Sequence, residues 1–188
     1  MRTLLLLFAA LLVAGCGEKQ LSDSAIKKAL DEAVENDSLQ ERNGIYYRPN
    51  ESEPYRGWVK LMHNDSEQVK SLAQCRDGRP NGLFMGWHEN GQKGVEATME
   101  DGELEGLVVV WHENGKKGAE GAFQDNLPHG LLTYWDANGT KIAEVACEEG
   151  EFISARLWNS KGEEVETTDP LVIKASLQPI METLSKLF

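Results

Sequence analysis

Three histidines and an aspartate recur at matching positions of a repeated phrase, and their side chains are of types that bind zinc. His63, His88, His112 and Asp136 each follow a tryptophan or the residue that replaces it. Imidazole and carboxylate groups are both zinc ligands. In a stack of hairpins, however, neighbouring copies lie two strands or about 9.5 Å apart, whereas zinc requires every donor atom within about 2.1 Å of one point. We therefore predict no metal and no cofactor, and we interpret the histidines as residues that flank turns.

The phrase around these histidines repeats with a period of 24 residues. WHENGQKG at residues 87–94 returns as WHENGKKG at residues 111–118. The period extends to five units across residues 57–166, of which the first carries one extra residue and the last lacks one. A fixed period of this length is typical of repeat architectures. The residues predicted to maintain the repeat structurally are Trp87, Asn90, Gly91, Trp111, Asn114, Gly115, Trp135, Asn138 and Gly139.

Each unit carries two turn signals separated by short alternating segments, and this pattern predicts one β-hairpin per unit. Asn-Gly favours a type I′ turn, and a second signal such as Asp101-Gly102 follows about ten residues later. One hairpin is marginally stable alone, whereas stacked hairpins share a buried face. We therefore predict a mainly β fold: an elongated single-layer antiparallel meander of stacked β-hairpins, with short flanking helices at both ends.

Apolar columns run along the predicted sheet. All five tryptophans of the chain fall within the array, and we expect them in the core, since a tryptophan buries a large area. Cys75 and Cys147 lie three units apart, about 28 Å, which is too far for a disulfide that needs Cα atoms within about 7 Å. We predict two free, buried thiols. Both faces carry leucines, for example Leu107 on one and Leu132 on the other, so the exposed face stays open at this stage.

The pattern G-x-x-x-x-W-H-E-N-G-x-K, followed by D-G about ten residues later, resembles the MORN repeat in its bacterial variant, the YwqK-type antitoxin repeat family. The resemblance covers about 110 of the 188 residues. It implies an elongated antiparallel sheet. It implies little about function, because repeats of this kind are associated with scaffolding, lipid binding and protein–protein contact.

The amino terminus resembles a bacterial lipoprotein signal peptide. Arg2 precedes an uncharged run at residues 4–13, which is too short for a permanent membrane span of about 20 residues but suits a secretory leader. Val13, Ala14 and Gly15 lead directly to Cys16. We predict cleavage after residue 15 and acylation of Cys16. The protein would then be lipid-anchored in the bacterial cell envelope, in the outer membrane (on its periplasmic side or at the surface) if the host has two membranes.

The segments on either side of the array read as helical. Residues 16–42 are interpreted as a tether and an amphipathic helix over residues 22–39, with Ser22, Asp23 or Ser24 as the N-cap. Residues 43–54 are interpreted as a degenerate strand leading into the array, which we place at residues 43–166. Residues 167–188 are predicted to form an amphipathic helical cap that Pro179 kinks or divides. Its apolar side consists of Ile173, Leu177, Ile180, Met181, Leu184 and Phe188.

Composition and motifs favour binding over catalysis. The formal net charge of −12 disfavours contact with nucleic acid. No nucleophile is placed beside a base by any motif, so we predict that the protein is not an enzyme. The leading hypothesis is a scaffold that binds another protein or a cell-wall polymer; the alternative is an antitoxin or immunity protein that neutralises a toxin. The candidate interaction surface consists of His63, His88, His112, Glu96, Glu120 and Glu144.

Overall fold

The computed structural model describes residues 21–64 and 66–165 of the chain. The predicted signal peptide, Cys16 with its predicted acylation, and the predicted cap at residues 167–188 lie outside the described residues. None of the helices within the described ranges combines the length and the apolar character needed to cross a bilayer.

A single long sheet dominates the molecule, and the predicted mainly β hairpin meander is confirmed. In chain order the elements are α1 (Asp23–Glu32), β1 (Val34–Glu35), a 3₁₀ turn (Asn36–Ser38), β2 (Gln40–Arg42), β3 (Ile45–Tyr47), β4 (Gly57–Met62), β5 (Val69–Arg76), β6 (Arg79–Trp87), β7 (Lys93–Glu100), β8 (Glu103–Trp111), β9 (Lys117–Gln124), β10 (Leu127–Trp135), β11 (Lys141–Glu148), β12 (Glu151–Trp158) and β13 (Glu164–Val165). Strands β4 to β13 are consecutive neighbours in the sheet, and β1 joins its edge beside β4.

The amino-terminal helix is shorter than its periodicity predicts. Ser22 is its N-cap, and the backbone N–H of Ala25 donates to the Ser22 hydroxyl at 3.3 Å. The helix ends at Glu32 instead of continuing to residue 39, because Ala33 is extended and Val34 pairs in parallel with Val59 on β4. The prediction was wrong there because pairing with a sheet edge satisfies this backbone better than an exposed helical turn would.

Residues 43–54 do not add a strand to the array, which corrects the prediction. Instead, β2 and β3 form a separate two-stranded hairpin around Asn43-Gly44, whose φ angles are 56° and 75°. This hairpin lies against the beginning of the array, where the backbone N–H of Tyr46 donates to the carbonyl of Gly78 at 2.8 Å. The hairpin packs over Cys75 and Val59 through Tyr46.

The two faces of the sheet differ, and the strand register decides which one is buried. One face, here the core face, carries Ala97, Val108, Gly121 and Val145 in cross-strand succession. Its main cluster consists of Val95, Ala97, Val108, Val110, Ala119, Leu132, Tyr134, Ala143, Val145 and Leu157. Most of these residues are small or β-branched, which suits the close approach of neighbouring strands.

The opposite face, here the helix face, receives α1 at one end. Leu72 and Met85 are paired on this face and are 0% and 1% exposed. Ala29 of α1 and Ala33, the residue after the helix, pack with Leu72. Farther along the same face, Leu107 and Leu131 are 45% and 55% exposed. Leu132 therefore lies on the buried face, whereas Leu107 lies on the face that α1 covers at one end and that is exposed farther along.

The two turn signals of each unit give two different turns. Asp101-Gly102 forms the two-residue loop of a type I′ turn, with φ angles of 50° and 93°. At Asn90-Gly91 only the glycine has a positive φ, 80°. The loop there is longer, as shown by its closing hydrogen bond, in which the backbone N–H of His88 donates to the carbonyl of Gln92 at 2.9 Å. The type I′ prediction for Asn-Gly within the array was therefore wrong.

Candidate functional site

The three repeat histidines link successive hairpins. The Nε2 atoms of His63, His88 and His112 lie 3.0, 2.8 and 2.9 Å from the backbone oxygens of Trp87, Trp111 and Trp135 respectively. Since a carbonyl oxygen can only accept, Nε2 carries the proton in each ring. Each link joins residues 23 or 24 positions apart and crosses the strand that lies between them. The histidines therefore connect each unit to the next.

A glycine makes room for one of these rings. A Cβ atom at Gly118 would lie 3.0 Å from Nε2 of His112. Gly118 is on β9, the strand over which the His112 ring passes on its way to β10. Gly118, the last residue of WHENGKKG, therefore leaves space for the His112 ring, a role that is visible only when the units are stacked.

The repeat asparagines make a second link between units. The side-chain amides of Asn90 and Asn114 donate to the carbonyls of Glu113 and Ala137 at 2.7 and 2.6 Å. Their Oδ1 atoms accept the backbone N–H two residues later, at 3.0 Å in both turns. Each asparagine thus closes its own turn and holds the next turn beside it.

The last two turns of this row close on themselves. Asp136 takes the histidine position, and its Oδ1 accepts the backbone N–H groups of Thr140 and Asn138 at 2.8 and 2.9 Å. These hydrogen bonds, that of Thr140 first, lower the pKa of Asp136. Asn159, which follows the final tryptophan, similarly accepts from the backbone of its own turn. The inter-unit linkage through this position therefore stops where the array ends.

The three repeat glutamates are paired with lysines. Lys93 lies 2.7 Å from Glu96, Lys141 lies 2.7 Å from Glu144, and Lys117 pairs in the same way with Glu120. The glutamate side chains are 19%, 38% and 19% exposed in chain order along the sheet. The acidic row is therefore a row of ion pairs on the helix face instead of an unpaired acidic surface.

The same lysines stack on the tryptophans of the following unit. The ammonium groups of Lys93, Lys117 and Lys141 lie 5.2, 5.5 and 4.0 Å from the ring centres of Trp111, Trp135 and Trp158. A cation over an indole ring is a favourable contact. All five tryptophans are half-buried. Trp58 and Trp87 pack against the cluster of Ala29, Ala33 and Leu72, whereas the other three belong to no core cluster, so the expectation of core tryptophans was wrong for those three. The recurrence of lysine at the same period was the signal for this arrangement.

An open groove runs along the row of histidine turns. Its volume is about 1230 Å³. Apolar Leu61, Met62 and Trp87 line it together with polar and acidic residues of three consecutive turns. The groove brings His63, His88 and His112 together, whereas the three glutamates lie on the helix face and do not line it. The interaction surface predicted from the sequence is therefore two separate surfaces, one with the histidines and one with the glutamates.

Metal ligation and thiol chemistry have little support in this geometry. Within residues 21–64 and 66–165 no group of three or more His, Cys, Asp or Glu side chains is placed to hold a metal ion. Cys75 and Cys147 are free, as predicted; Cys75 is buried, whereas Cys147 is only half-buried. Burial raises the pKa of Cys75 to about 11, and this makes the reactive thiolate scarce at neutral pH.

Comparison with known proteins adds no family. No protein-family model matches the chain, and no curated protein matches it in sequence.

Proposed function

We propose that this protein is a lipid-anchored scaffold of the bacterial cell envelope that binds a partner protein without catalysing a reaction. The leader sequence ending at Cys16 supports the anchoring. The hairpin array supports binding, because repeat arrays typically present extended surfaces to partners. The resemblance to MORN repeats, which are associated with scaffolding and protein contact, agrees with this proposal.

The observation that carries the binding proposal is the groove along the histidine turns. It extends over three consecutive hairpins whose turns are held in place by the histidine and asparagine links. Such preorganisation lowers the entropy lost when a ligand binds. Its lining includes apolar Leu61 and Trp87 and acidic Glu89 and Glu113. A polypeptide with apolar side chains flanked by basic ones fits this chemistry.

The anchor is tested first, in native cells that express either the wild type or Cys16→Ala. We expect a wild-type mass that corresponds to an acylated chain beginning at Cys16, found in the membrane fraction. The variant should lose both the acyl mass and the membrane attachment. An unmodified wild-type chain in the soluble fraction would contradict the envelope placement.

The groove is tested separately, by crosslinking in intact cells followed by identification of partners. The groove variant is Leu61→Ser with Glu89→Lys, and the matched control is Leu107→Ser with Leu131→Ser on the helix face. We expect one protein to be lost by the groove variant and retained by the control. Loss in both variants or in neither would contradict the groove. If the partner is a toxin that this protein inhibits, the immunity interpretation replaces the scaffold.

A further inference from the structure

The helix face of the sheet is covered at one end and exposed at the other. Over β4 to β6, α1 packs on Leu72 and on Trp58 and Trp87 through Ala29 and Ala33. Beyond β7, the same face exposes Leu107 and Leu131. The face is therefore built to accept a helix, and α1, with its ten residues, covers only the first part of it.

The exposed part carries an apolar stripe that crosses β8 to β11. Leu107 pairs with Ala122, and Leu131 pairs with Ala146. The small alanines leave room beside the leucines for side chains from another element. The two leucines are two strands apart, which corresponds to about 9.5 Å.

The chain itself supplies a further segment after the last strand of the sheet. The described chain ends at Val165 on β13, three strands from Leu131 and five strands from Leu107 in the sheet order. Five strand spacings amount to about 24 Å. Residues 171–188 would be about 27 Å long as a helix, so this segment is long enough to reach both leucines.

The apolar spacing of the segment matches the spacing of the stripe. Ile173, Leu177, Ile180, Leu184 and Phe188 follow one another at intervals of three or four residues, which places them on one side of a helix. Leu177 and Leu184 are seven residues apart, or about 10.5 Å along a helix axis, and a kink at Pro179 between them shortens this distance only slightly. That distance is close to the spacing of about 9.5 Å between Leu131 and Leu107.

We propose that residues 171–188 form an amphipathic helix that packs across the helix face of the same molecule, on Leu131 and Leu107. The two ends of the chain then cover one face of the sheet in the same manner, α1 over β4 to β6 and the carboxy-terminal helix over β8 to β12. This inference is independent of the proposed envelope function, because it concerns contacts within one chain.

The test is hydrogen exchange of the full chain, read peptide by peptide. In the wild type we expect protection of amides within residues 173–188. In Leu107→Ser with Leu131→Ser, exchange of that segment should become at least about tenfold faster, whereas the strands stay protected. The control Leu61→Ser replaces a leucine on the core face at the other end of the array, where Leu61 pairs with Ser71, and should leave the segment unchanged.

A second variant, altered in the carboxy-terminal segment and not in the sheet, provides the test if the leucine variant misfolds. Leu177→Asp with Leu184→Asp alters only the segment, and we expect increased hydroxyl-radical labelling of Leu107 and Leu131 with no change at Leu61. Absence of protection in the wild type, or protection that the leucine variants do not alter, would overturn the proposal. So would protection that rises with protein concentration alongside dimer formation, because a second copy would then be the occupant.

Discussion

The two rows of turns, at opposite ends of the strands, differ in loop length and in the interactions that hold each turn in place. The Asp-Gly row closes each loop with two residues at positive φ, as at Asp101 and Gly102. Its backbone also bonds to the preceding unit, since the N–H of Gly102 donates to the carbonyl of Pro80 at 2.8 Å. The Asn-Gly row uses longer loops whose histidine and asparagine side chains bind the next unit. Both rows therefore contact a neighbouring unit, one mainly through its backbone and the other through repeated histidine and asparagine side chains.

This difference predicts where the array tolerates change. A substitution in the Asp-Gly row acts through backbone conformation and local space. A substitution in the Asn-Gly row acts through a partner that is 23 or 24 residues away. Substitutions in the two rows therefore separate these two effects.

The largest effect is expected at Gly78, in the Asp-Gly row. A Cβ atom there would lie 2.8 Å from the carbonyl oxygen of Tyr46, and φ is +74°. Gly78→Ala combines left-handed strain with overpacking against the β2–β3 hairpin, so we expect a loss of about 3 kcal/mol in the free energy of unfolding. Urea denaturation measures it.

Gly91→Ala is the matched substitution in the other row. Gly91 has a similar φ, +80°, but nothing lies within 4 Å of its Cβ position. Only the backbone strain remains, so the expected loss is about 1 kcal/mol. Equal losses at Gly78 and Gly91 would show that the hairpin contact contributes nothing.

The next effect concerns the histidine links. His112→Ala removes the donor to the carbonyl of Trp135 and leaves that part-buried oxygen unsatisfied, so we expect a loss of about 1–2 kcal/mol in the free energy of unfolding. His129→Ala is the control, because His129 is exposed in the Asp-Gly half of the unit; its expected change is within about 0.5 kcal/mol. Thermal unfolding that shows the same loss for both would contradict the linking role.

A smaller effect distinguishes the linking asparagines from the asparagine that follows them. Asn114→Asp replaces the amide that donates to the carbonyl of Ala137 with a carboxylate oxygen, and we expect a loss of about 1 kcal/mol in the free energy of unfolding. Among the described residues, no side-chain hydrogen bond to a neighbouring unit is made by Asn138, whose backbone oxygen instead accepts from Lys116. The side chain of Asn138 bonds to Asp136 of its own turn, and a serine hydroxyl can still donate to that carboxylate. Asn138→Ser should therefore change stability by less than about 0.5 kcal/mol.

The smallest effect is a gain in stability. Glu149 occupies the first position of its two-residue turn at a φ of 49°, a conformation that asparagine adopts more readily than glutamate. Glu149→Asn should raise the free energy of unfolding by about 0.5 kcal/mol. Glu148→Asn, one residue earlier in β11, should not raise it. A stabilisation by both substitutions would point to the removed charge instead of the turn conformation.

Much of the hairpin array could be predicted, because its signals are local. The period of 24 residues locates the hairpins, and the distance between Cys75 and Cys147 follows from counting strands. The end of α1 could not be predicted, since Val34 continues the apolar periodicity of a helix while pairing with Val59 of the sheet. Within the candidate site, the positions of the histidines and glutamates were identified, but their partners were not.

The amino-acid sequence by itself determined the hairpins of the array at residues 57–166, the positions of their turns and the antiparallel meander, because these depend on backbone preferences within a few residues. Only the tertiary structure decided that Leu132 is buried and Leu107 exposed, and that His112 reaches Trp135 across Gly118. The two faces carry similar apolar columns, so the choice between them depends on how stacked units pack together. A contact between residues 23 positions apart exists only when both units are in place, and no local pattern contains it.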